Sequence, residues 1–338
     1  MTSPTLRCAV VQLGGTDRLA RAMLPCGDRP FLAWIMRELC RYGVERVVLL
    51  SGNADDDVVQ AIPAATAHLP KPLEISHMPG RLFEARTQLP ERFLFCQGDC
   101  WLDINLAPFL AEAAQGNAAG HALHGSGLSV LTQAAFAPGG APDLPITRLP
   151  GNVYDLTDPG DAARAKVELP QRLRRRALFL DRDGVINHDH GYVGSPERFA
   201  FVDGARAAIK LASDAGWHVF VVTNQSGIAR GFYSEADFVA LMAWVDDEVR
   251  RAGGNIDDLR YCPMHPEAKL EEFRGESDWR KPNAGMLIDL IFAWDLDPAA
   301  CLMVGDQPTD IAAAKAAGMP GHLFPGGNLH DFIAPLLN

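Results

Sequence analysis

Four acidic residues stand where two short apolar runs end. In FLDRDGVIN, residues 179 to 187, Asp181 and Asp183 lie two positions apart, directly after an apolar run and before Gly184. A sharp turn at Gly184 would let both carboxylates face one pocket, which suits a nucleophile paired with a general acid/base. In VGDQPTD, residues 304 to 310, Asp306 again follows an apolar run and Asp310 falls in the helical pattern after it. Several oxygen ligands that leave positions for water describe a Mg2+ site better than a zinc site. Any one Asp after a strand is most simply a helix N-cap or a turn residue. All of them together are poorly explained that way.

The elements that must position these groups follow from the hydrophobic pattern. Short runs rich in β-branched residues alternate with longer helical patterns along the chain, which is the signature of a parallel α/β fold. In the second half, strands are expected over 177–180, 217–223 and 302–305, and helices over 205–215, 235–252 and 309–317. Asp181, Thr223 and Asp306 fall just after or at the ends of those strands, and ligands in open parallel sheets bind beyond the carboxyl ends. In the first half, strands are expected over 6–13, 46–50, 73–76 and 92–96, with a helix over 31–42. After about residue 115, GNAAGHALHGSG and FAPGGAPDLP read as loops, and the polar stretch from about 150 to 176, with Arg172, Arg174, Arg175 and Arg176, reads as a solvated linker. Two domains are therefore expected, residues 1–170 and 171–338, consistent with a chain of 338 residues.

Composition narrows the function classes. Apolar residues make up 48% and charged residues 22%, which excludes disordered and fibrous chains. The net charge of −11 argues against nucleic acid or an anionic membrane as partner, since both need a basic surface. The start lacks a leader-like pattern and no stretch reaches the roughly 18 apolar residues of a membrane span, so a cytoplasmic location is expected. Seven cysteines without paired spacing suggest reduced thiols and no disulfides.

Four ordered segments, FLDRDGVIN, VVTNQSGIARG (221–231), RKP (280–282) and VGDQPTD, resemble the motifs of the haloacid dehalogenase (HAD) superfamily of phosphatases. DHGYV (189–193), NQSGIARG and the YCPMHP-to-WRKP loop resemble its heptose-bisphosphate phosphatase branch; histidinol-phosphate phosphatases are the nearest alternative. The resemblance implies a HAD-like parallel sheet, and a Mg2+-dependent phosphatase that removes the C7 phosphate of D-glycero-D-manno-heptose 1,7-bisphosphate. Asp181 would form an aspartyl phosphate, and Asp183 would protonate the departing oxygen and then activate water. The cation would be held by Asp181, the Asp183 carbonyl and Asp306. Thr223, Asn224, Gln225 and Lys281 would contact the phosphate, Arg280 a second phosphate or the sugar, and Asp310 would orient Lys281 or a metal-bound water. Relatives carry a zinc clip where this chain has Cys262, Met264, Ser277 and Trp279, so no structural zinc is expected, and Met264, Phe273 and Trp279 should hold that loop by packing. Gln307 stands where a Lys is usual.

The first half, with VVQLGGTDRL, PCGDRPF and FLFCQGDCWLD, resembles GT-A-like, Rossmann-related sugar-phosphate nucleotidyltransferases. The resemblance implies Gly14 and Gly15 around nucleotide phosphates and Asp99 on Mg2+. The glycine loop is shortened and Arg21 replaces the expected Lys, so a degenerate domain, serving dimerisation, stability or regulation, is the expectation. The alternative is a bifunctional enzyme whose first half is an active heptose-1-phosphate nucleotidyltransferase.

Overall fold

A computed structural model describes residues 6–15, 17–53, 55–115, 120–136, 144–172 and 175–337. The chain divides into two compact units meeting at residues 173 and 174.

The first unit is built on a seven-stranded sheet. Its strands are β1 (Cys8–Gln12), β2 (Arg46–Leu50), β3 (Glu74–Met78), β4 (Arg92–Gln97), β5 (Gly120–Leu123), β6 (Leu128–Thr132) and β7 (Ile146–Thr147), in the order β7-β5-β6-β4-β1-β2-β3. β1 lies parallel to both β2 and β4, and β6 runs antiparallel to β4 and β5. Helix α1 (Phe31–Arg41) is buried along its whole length.

Two expectations fail in this unit. The glycine-rich stretch after residue 115 contains the antiparallel pair β5 and β6, with residues 116–119 and 137–143 outside the described set. These strands are only four and five residues long, and their small residues hide the alternation that marks a half-buried strand. The polar stretch from 150 onward is likewise no linker. It holds a strand, Asn152–Asp155, paired with Cys100–Asp103, and helix α2 (Pro159–Arg172). Asp158 Oδ1 accepts from the Gly160 and Asp161 amides at the start of α2, and Ala165 and Leu169 are fully buried in the first unit's core. Four-residue spacing of just two apolar side chains is a faint signal in so charged a segment. Arg174 lies outside the described residues.

The second unit carries five parallel strands: β8 (Ala177–Leu180), β9 (His218–Asn224), β10 (Asp258–Cys262), β11 (Cys301–Gly305) and β12 (Gly321–Leu323), ordered β10-β9-β8-β11-β12. β8 is central, with Leu180 in register with Val221 of β9 and Val304 of β11. Every residue of β8 and β11 is buried, as expected of parallel strands covered on both faces. Helices α3 (Ala205–Asp214), α4 (Glu235–Arg251), α5 (Gly285–Ala293) and α6 (Pro308–Ala316) supply the crossovers and the outer layers. β10, β12 and α5 are absent from the sequence reading. β10 carries Asp258, Arg260 and Tyr261 among its five residues, so its composition does not read as a buried run.

All seven cysteines are free and buried. No helix among the described residues is long and apolar enough to cross a membrane.

Candidate active site

The order β9-β8-β11 brings the carboxyl ends of three adjacent strands together, and with them Thr223, Asp181 and Asp306. Asp181 leaves β8 with its amide still donating to Val304 O at 3.0 Å, so its side chain is fixed to the sheet edge. Oxygens of Asp181, Asp306 and Asp310 lie within 4.8 Å of one another.

Lys281 enters this cluster from the loop before α5. It is buried, and its Nζ sits 2.6 Å from Asp310 Oδ1, 2.9 Å from Asp181 Oδ1 and 3.0 Å from Val222 O. An ammonium has three protons, and here three protein oxygens surround them. Its main chain is fixed as well, because Asn224 Oδ1 accepts from Lys281 N and Asn224 Nδ2 donates to Lys281 O, both at 3.0 Å. Burial alone would lower the Lys281 pKa, but Asp181 and Asp310 outweigh it and hold it above the ordinary lysine value. Burial pushes Asp181 up to about 6, against the downward pull of Lys281. Desolvation also raises Asp306.

Asp310 spends its oxygens on the protein. Besides Lys281 it accepts from Gln307 N at 3.0 Å, closing the N-terminus of α6. Asp306 differs. Gln307 Nε2 donates to Oδ2 at 2.8 Å, while Oδ1 is shut off from solvent and has no hydrogen-bond partner. A buried carboxylate oxygen left without a donor is an acceptor for a cation. Gly184, at φ 85°, lies against this group: a Cβ there would come within 2.3 Å of Asp306 Oδ2. Asp181 and Asp306 therefore fit a hard divalent cation, with Asp310 close behind. The Asp183 carboxylate is outside this cluster.

Asp183 is held from several sides. Arg182 Nη2 donates to both of its oxygens at 2.7 Å, Asn187 Nδ2 to Oδ1 at 3.0 Å and Gln225 Nε2 to Oδ2 at 3.1 Å. Gln225 also donates to Thr223 Oγ1 and accepts from the Tyr233 hydroxyl, whose pKa burial raises to about 12. The Gln225 amide is thus spent on protein partners, and it orients Asp183 and Thr223. Of the three phosphate-contact candidates on β9 and just after it, Thr223 keeps a hydroxyl proton to give, whereas Asn224 and Gln225 are brackets for other site residues. Arg280 donates to Met264 O at 3.0 Å with one nitrogen of its fork.

Sequence reasoning misses Arg182, Asn187 and Tyr233. Arg182 is wholly buried, stands over the Phe238 ring of α4 and also donates to Val193 O. The available signal is its position, a cation between two carboxylates immediately after a buried strand. Through Val193 the DHGYV segment is tied to the site. Arg198 braces that segment by donating to the carbonyls of His190, Gly191 and Tyr192, and Tyr192 packs on Phe232 with ring centroids 4.5 Å apart.

The loop from Cys262 to Trp279 is shaped by its backbone more than by packing. His265 N donates to Phe273 O, Gly275 N to His265 O, and Arg274 Nε to Ala268 O. Phe273 does pack against the core, but Trp279 is partly exposed, which corrects the expectation that it serves as a packing anchor.

In the first unit Asp99 is fully buried, with Arg18 Nε 2.9 Å from Oδ1 and Arg21 Nη2 2.8 Å from Oδ2. Gly14 and Gly15 border a cavity at the carboxyl ends of β1 and β2.

Comparison with known proteins agrees with this geometry. A family profile described as HAD-hydrolase-like matches residues 278–331, which hold Lys281, Asp306 and Asp310. The D-glycero-beta-D-manno-heptose-1,7-bisphosphate 7-phosphatase of Rhodopseudomonas palustris is 46% identical over 164 residues, covering 48% of this chain and 91% of that protein. A crystal structure of D,D-heptose 1,7-bisphosphate phosphatase from B. bronchiseptica, complexed with magnesium and phosphate, shares 33% identity over 48% of this chain and 86% of its own, at a TM-score of 0.41. A UDP-glucose pyrophosphorylase from Acinetobacter baumanii aligns with 49% of this chain and 98% of its own, at 12% identity and a TM-score of 0.39. The chain belongs to the HAD-like phosphatases. It is a phosphoric monoester hydrolase of the heptose-bisphosphate phosphatase type, a likeness that covers about half of the chain.

Proposed function

We propose that the second unit hydrolyses the C7 phosphate of a D-glycero-D-manno-heptose 1,7-bisphosphate through an aspartyl phosphate on Asp181. The observation that carries this reading is the meeting of Asp181, Asp306 and Lys281 at the ends of three neighbouring strands. In support of the substrate class stand the heptose-bisphosphate names of relatives that match nearly half of this chain.

Asp181 attacks phosphorus in line as the sugar C7 oxygen departs, and Asp183 gives that oxygen its proton. Water then attacks the aspartyl phosphate, Asp183 takes the proton back, and inorganic phosphate leaves with Asp181 restored. Arg182, Asn187 and Gln225 hold Asp183 in place through both transfers. Lys281 keeps Asp181 ionised in a dry setting and fixes which oxygen is free to attack. Thr223 donates to an equatorial phosphate oxygen, and the remaining Arg280 donors face anionic or hydroxyl groups of the sugar. Asp181 and Asp306, with the Asp183 carbonyl, would hold Mg2+, which when bound lowers the repulsion between an anionic nucleophile and an anionic phosphate.

The test is phosphate release by the full chain from α- and β-heptose 1,7-bisphosphate, a hexose bisphosphate and histidinol phosphate, with Mg2+ and with EDTA. Heptose bisphosphate should be preferred, and activity should vanish in EDTA. Asp181→Asn should abolish turnover while melting like the parent; turnover in that variant would refute the covalent step.

A further inference from the structure

Tyr233 reaches the candidate site through the amide of Gln225. It precedes helix α4, whose first turn is closed by a capping box: Ser234 Oγ accepts from Asp237 N at 3.1 Å, and Asp237 Oδ2 accepts from Ser234 N at 2.9 Å. That closure fixes the backbone from which the Tyr233 side chain leaves. The ring enters a slot walled by bare backbone at two points. A Cβ on Gly194 would fall 2.4 Å from Tyr233 Cδ1, and one on Gly227 would fall 2.4 Å from Cε1 and 2.6 Å from the hydroxyl oxygen. Neither glycine takes a positive φ, so what each supplies is room for the ring.

The hydroxyl ends 2.6 Å from Gln225 Oε1. Burial raises its pKa to about 12, so at neutral pH it has a proton to donate, and the amide oxygen accepts it. With Oε1 held on this side, Nε2 faces the other way, where it donates to Asp183 Oδ2 at 3.1 Å and to Thr223 Oγ1 at 2.8 Å. An amide turned end for end would set Oε1 against the Asp183 carboxylate, and it would offer the Thr223 hydroxyl an acceptor inside the protein. The Thr223 proton would then turn inward, away from substrate. The two ends of a glutamine amide have nearly the same shape, so packing does not choose between them. Hydrogen-bond partners make that choice, and Tyr233 supplies the donor at the oxygen end.

We infer that Tyr233 is a positioning residue for the phosphatase reaction: its hydroxyl fixes which end of the Gln225 amide faces Asp183 and Thr223, and through it the aim of Asp183 and the direction of the Thr223 proton. This rests on the roles proposed above for Asp183 and Thr223. Gly194 and Gly227 belong to the same device, since each leaves the ring the space in which its hydroxyl meets Oε1.

A double-mutant cycle of Tyr233→Phe and Gln225→Leu tests this in the full chain, with heptose 1,7-bisphosphate as substrate. Tyr233→Phe keeps the ring in its slot and should melt within about 4 °C of the parent, the worth of one hydrogen bond. Its kcat should fall about 10-fold while KM stays within about twofold, because the affected contacts are made in the transition state. In the Gln225→Leu background the same substitution should change kcat by less than about twofold. Arg182 also lies beside the Tyr233 hydroxyl and is untouched by Gln225→Leu, so an undiminished effect in that background would assign the hydroxyl to Arg182 and overturn the inference. A rise in KM with kcat unchanged would overturn it too. A second readout needs no substrate. In protein isotope-labelled at glutamine, the side-chain amide protons of Gln225, identified by their loss in Gln225→Leu, should exchange with water about 10-fold faster in Tyr233→Phe. If Tyr233→Phe does not fold, Gly194→Ala, which keeps the hydroxyl but crowds the ring out of its slot, takes its place in both experiments with the same expectations. A parent that releases no phosphate from heptose bisphosphate overturns the functional reading and leaves the exchange measurement to decide, whereas unchanged exchange overturns the role of Tyr233 whatever the substrate.

Discussion

Lys281→Met removes the cation that sits between Asp181 and Asp310. Nζ lies 2.9 Å from Asp181 and 2.6 Å from Asp310, and all three side chains are nearly inaccessible to solvent. Methionine matches the length of lysine, so the volume is kept and only the charge is lost. Breaking a buried ion pair by removing one partner costs about 3–5 kcal/mol, because the charge left behind is desolvated and unpaired. For a unit of this size about 1 kcal/mol moves Tm by roughly 2–4 °C, so the second unit should melt about 6–20 °C earlier. The double variant Lys281→Met/Asp310→Asn removes the orphaned charge as well and should recover much of that loss. Activity should behave differently. Asp181, whose pKa burial already raises to about 6, loses the charge that opposes burial, and its pKa rises further. A protonated carboxyl is no nucleophile, so kcat at pH 7 should fall about 100-fold or more in both variants, with the acid limb of the pH profile displaced upward. Differential scanning calorimetry and phosphate release on the same samples give the two readouts. Melting within about 2 °C of the parent, or a double variant that regains activity along with stability, would refute the assignment of Lys281 to charge compensation at Asp181.

Three further outcomes follow from the same structure. Gly184→Ala strains a residue at φ 85° and drives a methyl to within 2.3 Å of Asp306 Oδ2, so phosphate release should drop about 100-fold while far-UV circular dichroism is unchanged; near-normal turnover would show that Asp306 need not hold its position. Burial raises the thiol pKa of Cys26 to about 11 and of Cys96, Cys100 and Cys301 to about 12, so these groups should resist a thiol-disulfide reagent at pH 8 until urea is added. By linkage, a folded pKa above the unfolded value stabilises below the unfolded pKa and loses that contribution as pH rises through the folded one, so stability should decline from about pH 9 towards 12. Rapid labelling of the native protein at those four thiols would contradict this.

The parts of the site that are legible in sequence are those attached to strands. Asp181, Thr223 and Asp306 each sit at or just beyond the end of an apolar run, and parallel pairing of three such runs necessarily gathers their ends. Which groups point at substrate and which brace their neighbours is much less legible. Gln225 looks like a binding residue by position, yet its amide is used up on Asp183, Thr223 and Tyr233, a partner eight residues away on the approach to α4. Arg182 illustrates the converse. As a lone Arg between aspartates it reads as a surface charge, and only the fold reveals that Phe238 and the Val193 carbonyl enclose it. In the first unit, α2 and the β5–β6 pair are obscured because each depends on a few small or widely spaced apolar residues, whose burial is decided by tertiary contacts.

Asp181, Asp306 and Asp99 pose the same local problem, a desolvated carboxylate close to the carboxyl end of a sheet strand, and the chain solves it in two ways. Desolvation must be answered by positive charge or by donors, or the group will take up a proton instead. At Asp99 the answer is internal, since two guanidinium groups donate three hydrogen bonds to its two oxygens and offset its charge, so this carboxylate carries no surplus negative charge to attract an ion. In the second unit the answer is partial. Lys281 serves Asp181 and Asp310 at once, Gln307 offers Asp306 a donor without a charge, and Asp306 Oδ1 has none. The raised pKa values of Asp181 and Asp306 are the energetic mark of that shortfall. A shortfall of positive charge is what allows binding of a divalent cation to be favourable, and it ties nucleophile ionisation to cation arrival. Local motif likeness does not separate the two cases, because Asp99 and Asp306 both follow a strand and a glycine. The separation lies in arginines 81 and 78 positions away along the chain, which only the folded first unit brings onto Asp99.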